Sequence, residues 1–101
     1  MATLGELADK AERVSVTYAK RCAINRDDDW FALKITEEAG ELVAEYLRTT
    51  GRGRQVGQTQ EALADEAADL FAHVLLFCRH NRIDIESALE RKWFKYLDKV
   101  G

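Results

Sequence analysis

Proline is absent from this 101-residue chain, and only six residues are glycine. A β-sandwich or barrel normally needs both at its many turns, so their scarcity points to helices. Cysteine is limited to Cys22 and Cys78, which fits neither a disulfide framework nor a zinc site. Both fall at apolar helical positions and read as small core residues. No apolar run approaches the roughly 20 residues that cross a bilayer. MATLGELADK has acids where a secretory leader would carry a basic and then an apolar stretch. A basic excess is missing as well. Fifteen Lys and Arg against 18 Asp and Glu leave a net charge of -3, which disfavours a grip on nucleic acid. Yet 47% of the residues are hydrophobic, too many for a disordered segment. The expectation is one cytoplasmic all-α domain over residues 1–101, with neither nucleic acid nor membrane as partner.

Four helices can be read from the chain. Thr3 and Glu6 have capping-box spacing, and the apolar stripe Leu4, Leu7, Ala11, Val14, Tyr18 and Cys22 follows. Asn25 to Asp29 interrupts this pattern and supplies acids for the start of a second helix, from about Trp30 to Arg48. The glycine-rich stretch 51–58 is a loop, in which Arg52 and Arg54 either remain solvated or close over an anion. A third helix covers about Gln60 to His80. Asp84 caps a fourth, from about Ile85 to Val100. Short connections between four helices predict a bundle-like domain.

The second and third helices repeat each other at an offset of 28 residues: EAGELVAEYL, from Glu38, lies over EAADLFAHVL, from Glu66. At about 100° per residue, Phe31, Ile35, Ala39, Leu42 and Tyr46 form one apolar stripe. Leu63, Ala67, Leu70 and Val74 form the other. Glu38 and Glu41 border the first stripe, and Glu66 and Asp69 border the second. Packing stripe on stripe makes these four carboxylates converge. Solvated ion-paired faces are the usual fate of helix acids. Here Glu37/Glu41, Glu41/Glu45 and Asp65/Asp69 are like charges at i,i+4, with only Lys34 and Arg48 near enough to offset those on the second helix. Gathering them at an interface favours a neutralising cation, and all-oxygen donors select a hard ion such as Mg²⁺ or Mn²⁺.

EEAGE (Glu37–Glu41) and EAAD (Glu66–Asp69), with 24 residues between, resemble the EExxE…ExxD signature of MazG-like all-α nucleoside triphosphate pyrophosphohydrolases. IDIESALERKWFK, from Ile83 to Lys95, is similar to the stretch that follows the signature there, with Lys92 at a family lysine position. The resemblance spans about residues 28 to 99. It implies Mg²⁺-dependent cleavage of a nucleoside triphosphate to the monophosphate and pyrophosphate. Glu38, Glu41, Glu66 and Asp69 would hold the metal by motif position. Glu37 would act beside it, and Glu41 or Glu37 would take the proton of the attacking water.

Lys92 borders the fourth helix's apolar stripe, where a lysine either snorkels to water or meets a phosphate. Lys95 lies about one turn on, and Tyr96 stands where relatives often carry a polar residue. Trp30 is about 12 Å along the axis from Glu38, within reach of a base attached to a metal-bound triphosphate, although core packing would also account for it. His73, one turn after Asp69, is placed for a substrate contact or for an interface. Phosphoribosyl-ATP pyrophosphohydrolase is the nearest rival activity, and EAADLFAHVLL suits it. A helical dimerisation module with a structural metal is the non-enzymatic alternative. Trp93, Phe94, Tyr18, Val43 and Phe71 spread apolar surface over several faces, which predicts a homodimer or homotetramer.

Overall fold

Local capping fixes where the helices start. In the computed structural model, which describes residues 1–52 and 59–100, α1 spans Leu4–Cys22, α2 Asp28–Thr49, α3 Gln60–His80 and α4 Ile85–Lys92. A 3₁₀ turn, Phe94–Tyr96, and the short α5, Leu97–Val100, follow. The described residues contain helices and no strands. Thr3 Oγ1 accepts the Glu6 N–H at 3.1 Å while Glu6 Oε1 accepts the Thr3 N–H at 3.1 Å, completing the expected capping box. Asp27 accepts from the Trp30 N–H at 2.8 Å, so α2 begins two residues before Trp30. Thr59 and Asp84 cap α3 and α4 in the same way. The loop arginine Arg54 lies outside the described residues.

α3 is the central element, packing on α2 along one side and on α1 along another. Its Leu75, Leu76 and Cys78 are buried, which fits a helix covered from two directions. Across from them α2 buries Phe31, whose ring stacks on His80 at 4.0 Å between centroids, with the Arg26 guanidinium 4.8 Å from the same ring. Arg26 also forks onto Glu12 of α1, tying the α1–α2 connection down. Arg79 of α3 adds a contact to Asp9 of α1 at 3.0 Å.

Three expectations are corrected. The α1 stripe is rotated: Ala8 and Ala19 are buried and Ala11 and Ser15 half-buried, whereas Val14 is 71% and Tyr18 58% exposed. Small side chains let α1 approach α3 closely, and the bulkier apolar set is left facing outward. Cys22 belongs to that outward set and is exposed, so only Cys78 is a core cysteine. The fourth helix is also shorter than expected, ending at Lys92 instead of Val100. Trp93 leaves the ideal helical conformation (φ −118°, ψ −49°), and the Tyr96 N–H bonds to the Trp93 carbonyl, giving a tighter turn. The aromatic run here has modest helix propensity, and Trp93, Phe94 and Tyr96 are all exposed. Without a packed face, nothing compensates for the weak local preference.

The Cα radius of gyration is 16.1 Å, against about 13 Å for a closely packed domain of 100 residues. The chain is therefore open, and no described helix is long and apolar enough to cross a membrane.

Phe31→Ala should remove the ring that His80 and Arg26 share. Urea denaturation should show a loss of about 3 kcal/mol, and an unchanged midpoint would contradict the role given to Phe31.

Candidate metal and nucleotide site

The seam between α2 and α3 carries its acids with it. Glu38 from α2 and Glu66 and Asp69 from α3 present oxygens that all lie within 4.8 Å of one another. Glu38 and Glu66 are half-buried and Asp69 is exposed, so the cluster opens at the edge of the seam. Glu41 is exposed and outside this trio, though near enough to act on Glu66. Partial burial, reinforced by the charges of Asp69, Glu41, Glu38 and Glu45, raises the Glu66 pKa above the ordinary carboxylate value. Acids in this relation are under-compensated by the protein, and their oxygens suit a hard divalent cation. The donor set therefore fits such an ion.

Two cations touch these acids from α2. Lys34 Nζ lies 3.2 Å from Glu37 and 3.5 Å from Glu38, spanning the i,i+3 and i,i+4 positions. Burial opposes the charge on Lys34, but hydrogen bonds and attraction from Glu37 and Glu38 outweigh it and raise its pKa. Further along, Arg48 pairs with the buried Glu45 at 2.6 Å.

Beside the trio, between α1, α2 and α3, opens a cavity of about 450 Å³. Trp30, Lys34, Asp69 and His73 line it, with Tyr18 and Leu76 among its apolar walls. The Trp30 indole meets the His73 ring edge-on at 5.7 Å and the Phe31 ring at 4.9 Å. His73 Nδ1 is buried and finds no hydrogen-bond partner among the described residues. Burial, with Lys34 nearby, lowers the His73 pKa against the opposing pull of Glu38, Asp69 and Glu37, which favours the uncharged ring.

Trp30 and His73, expected to touch substrate, thus share one cavity with Asp69 of the acid trio. Lys92 and Lys95 do not. Both are exposed on the C-terminal segment, and neither lines this cavity. Arg52 likewise turns elsewhere: its Nε donates to Thr50 Oγ1 at 3.1 Å, and its guanidinium lies 5.4 Å from the Tyr46 ring centre. Lys34, expected only as a local charge offset, does pair with Glu37 and Glu38 and also lines the cavity. Its spacing before Glu37 and Glu38 was the available signal.

The sequence model of the MazG nucleotide pyrophosphohydrolase domain matches residues 26–99, well over half of the chain. The chain belongs to the MazG family. Its nucleotide pyrophosphohydrolase character in general follows from that membership, and MazG proteins are typically metal-dependent. No curated protein and no solved structure matches the chain. The MazG match takes in α2, α3 and α4, including the acid trio, and leaves α1 outside.

Because its folded-state pKa is raised, Glu66 favours folding when protonated. That contribution is complete below the unfolded value of 4.5 and is lost as pH rises through the higher folded value. In EDTA, Glu66→Gln should therefore melt above wild type at pH 7, with the gap closing toward pH 4. Circular-dichroism melts across that range check it; superimposed curves at pH 7 would count against a charge-stressed cluster.

Proposed function

We propose that the protein hydrolyses a nucleoside triphosphate to the nucleoside monophosphate and pyrophosphate with Mg²⁺ or Mn²⁺ as cofactor. The observation that carries this reading is the juxtaposition of an acid trio with an aromatic-lined cavity that shares Asp69. Glu38, Glu66 and Asp69 would hold the ion, with Glu41, the remaining ligand position of the signature, near enough to act on Glu66. When bound, the ion supplies charge neutralisation of the phosphate oxygens and lowers the pKa of water.

The protein's own groups divide the remaining work. Lys34 keeps Glu37 and Glu38 in a fixed relation. Water adds to phosphorus, the anhydride P–O bond breaks, pyrophosphate and monophosphate separate, and a carboxylate accepts the water's proton. Of the two candidates, Glu37 is engaged by Lys34, whereas Glu41 has no ion pair among the described residues. Glu41 is therefore our choice of base. The nucleobase would lie in the cavity against Trp30, with the buried Nδ1 of His73 available for a hydrogen bond.

Lys92 and Lys95 reach phosphate on this reading only from a second subunit, because in one chain they stand away from the cavity. The outward Val14 and Tyr18, and Trp93 at 68% exposure, give such a subunit an apolar surface to cover. We propose a homodimer or homotetramer accordingly, located in the cytoplasm.

Pyrophosphate release should be measured with Mg²⁺ or Mn²⁺ over standard, deoxy and modified triphosphates, and over phosphoribosyl-ATP. Glu38→Gln should reduce turnover by about a thousandfold or more, removing a metal donor. Trp30→Ala should act mainly on KM, raising it by about tenfold. Silence across the panel with both metals would sink the activity, and release from phosphoribosyl-ATP alone would reassign the substrate. Light scattering at micromolar concentration should give a dimer or tetramer; a monomer would refute the trans placement of Lys92 and Lys95.

A further inference from the structure

Glu45 is the most buried acid among the described residues, at 5% exposure, and it is not one of the signature acids. Both of its contacts with Arg48, at 3.0 and 2.6 Å, use Oε2. Oε1 is buried and has no hydrogen-bond partner among the described residues. An unsatisfied carboxylate oxygen at that depth is costly, so its retention calls for a donor that the described residues do not provide. Position narrows what that donor is. Glu45 follows Glu41 by about one turn and Glu38 by about two, along the same edge of α2. Side chains on a helix lean toward its N-terminus, which sets the Glu45 carboxylate over the turn that bears Glu41. Its charge reaches Glu66 across the seam.

We propose that Glu45 is a positioning residue of the metal site, with Arg48 fixing Oε2 and Oε1 accepting a hydrogen bond from the hydration shell of a divalent cation held by Glu38, Glu66 and Asp69. The inference rests on the metal reading above and extends it to a residue outside the signature. It also gives a reason for a dedicated arginine on one buried acid, where Glu38 of the trio shares Lys34 with Glu37 and neither Glu66 nor Asp69 has an ion pair among the described residues. Arg48 neutralises Glu45, so the carboxylate keeps its acceptor oxygen without adding a full unpaired charge to the cluster.

The test uses full-length, nucleotide-free protein and Mn²⁺ alone. Electron paramagnetic resonance titration reads affinity and the line shape of the bound ion. Melts in EDTA and light scattering read folding and assembly. Glu45→Gln should weaken Mn²⁺ binding by about tenfold, the usual consequence of losing a hydrogen-bond partner around a metal site. It should also alter the bound-ion line shape while the metal-free melting midpoint is retained. Glu45→Leu, suited to a buried helix–helix position, should show the same loss and serves if the glutamine variant does not fold. Affinity within twofold of wild type in a folded variant would overturn the proposal. So would a change in subunit number with affinity intact, which would assign the donor to a second copy. Weakened binding that merely tracks a fallen metal-free midpoint in both variants would leave Glu45 a structural role and refute the proposal. Wild-type protein that binds no Mn²⁺ would overturn the metal reading as well; normal wild-type binding with unaltered variants overturns this inference alone.

Discussion

Everything at the candidate site depends on the apolar seam between α2 and α3. Carboxylates repel one another, and in an unfolded chain Glu38, Glu66 and Asp69 would stay apart. Burial along the seam overrides that repulsion and holds their oxygens within 4.8 Å. The raised pKa of Glu66 is the visible trace of this conflict. A cation would resolve it, and folding energy from apolar contacts would then be stored as affinity for positive charge. The same trade recurs on a smaller scale at Lys34, which draws Glu37 and Glu38 together along one helix.

The second constraint is the width of α3's apolar surface. One helix serves two neighbours, and the three buried residues Leu75, Leu76 and Cys78 are gathered in its C-terminal half. Toward the acid end the seam is looser, with Glu66 and Leu70 half-buried and Asp69 exposed. A firm end and an open end suit a protein that must anchor its frame while admitting a ligand. Phe31, His80 and Arg26 close the firm end as a stack.

Helix starts were legible in the sequence because caps are local. Thr3 with Glu6, and Asp84 with Ser87, need only the residues that follow them. The convergence of Glu38, Glu66 and Asp69 was legible for a related reason: the repeat gives both helices the same edge, so mutual packing leaves little freedom. The face that α1 buries was not legible. Its alanines and its bulkier Val14 and Tyr18 both form plausible stripes, and the choice depends on the distance at which α3 accepts it. The break at Trp93 escaped for the opposite reason, since the helical pattern there continues while the packing that would sustain it is absent. Glu41's position outside the trio and the burial of Glu45 depend on side-chain rotamers and depth, which spacing does not encode.

The cavity beside the trio has walls of different origin. Asp69, Lys34 and Trp30 stand on the two helices that carry the acids, whereas Tyr18, Val14 and Ala11 come from α1, outside the stretch that matches the family. On the proposed function, Trp30 and His73 would share the discrimination between nucleobases with α1, a helix that carries none of the acid trio. Exchanging a few side chains on one helix would reshape what the pocket admits while the carboxylates keep their places. A fold divided this way can hold one reaction constant and turn it toward successive substrates.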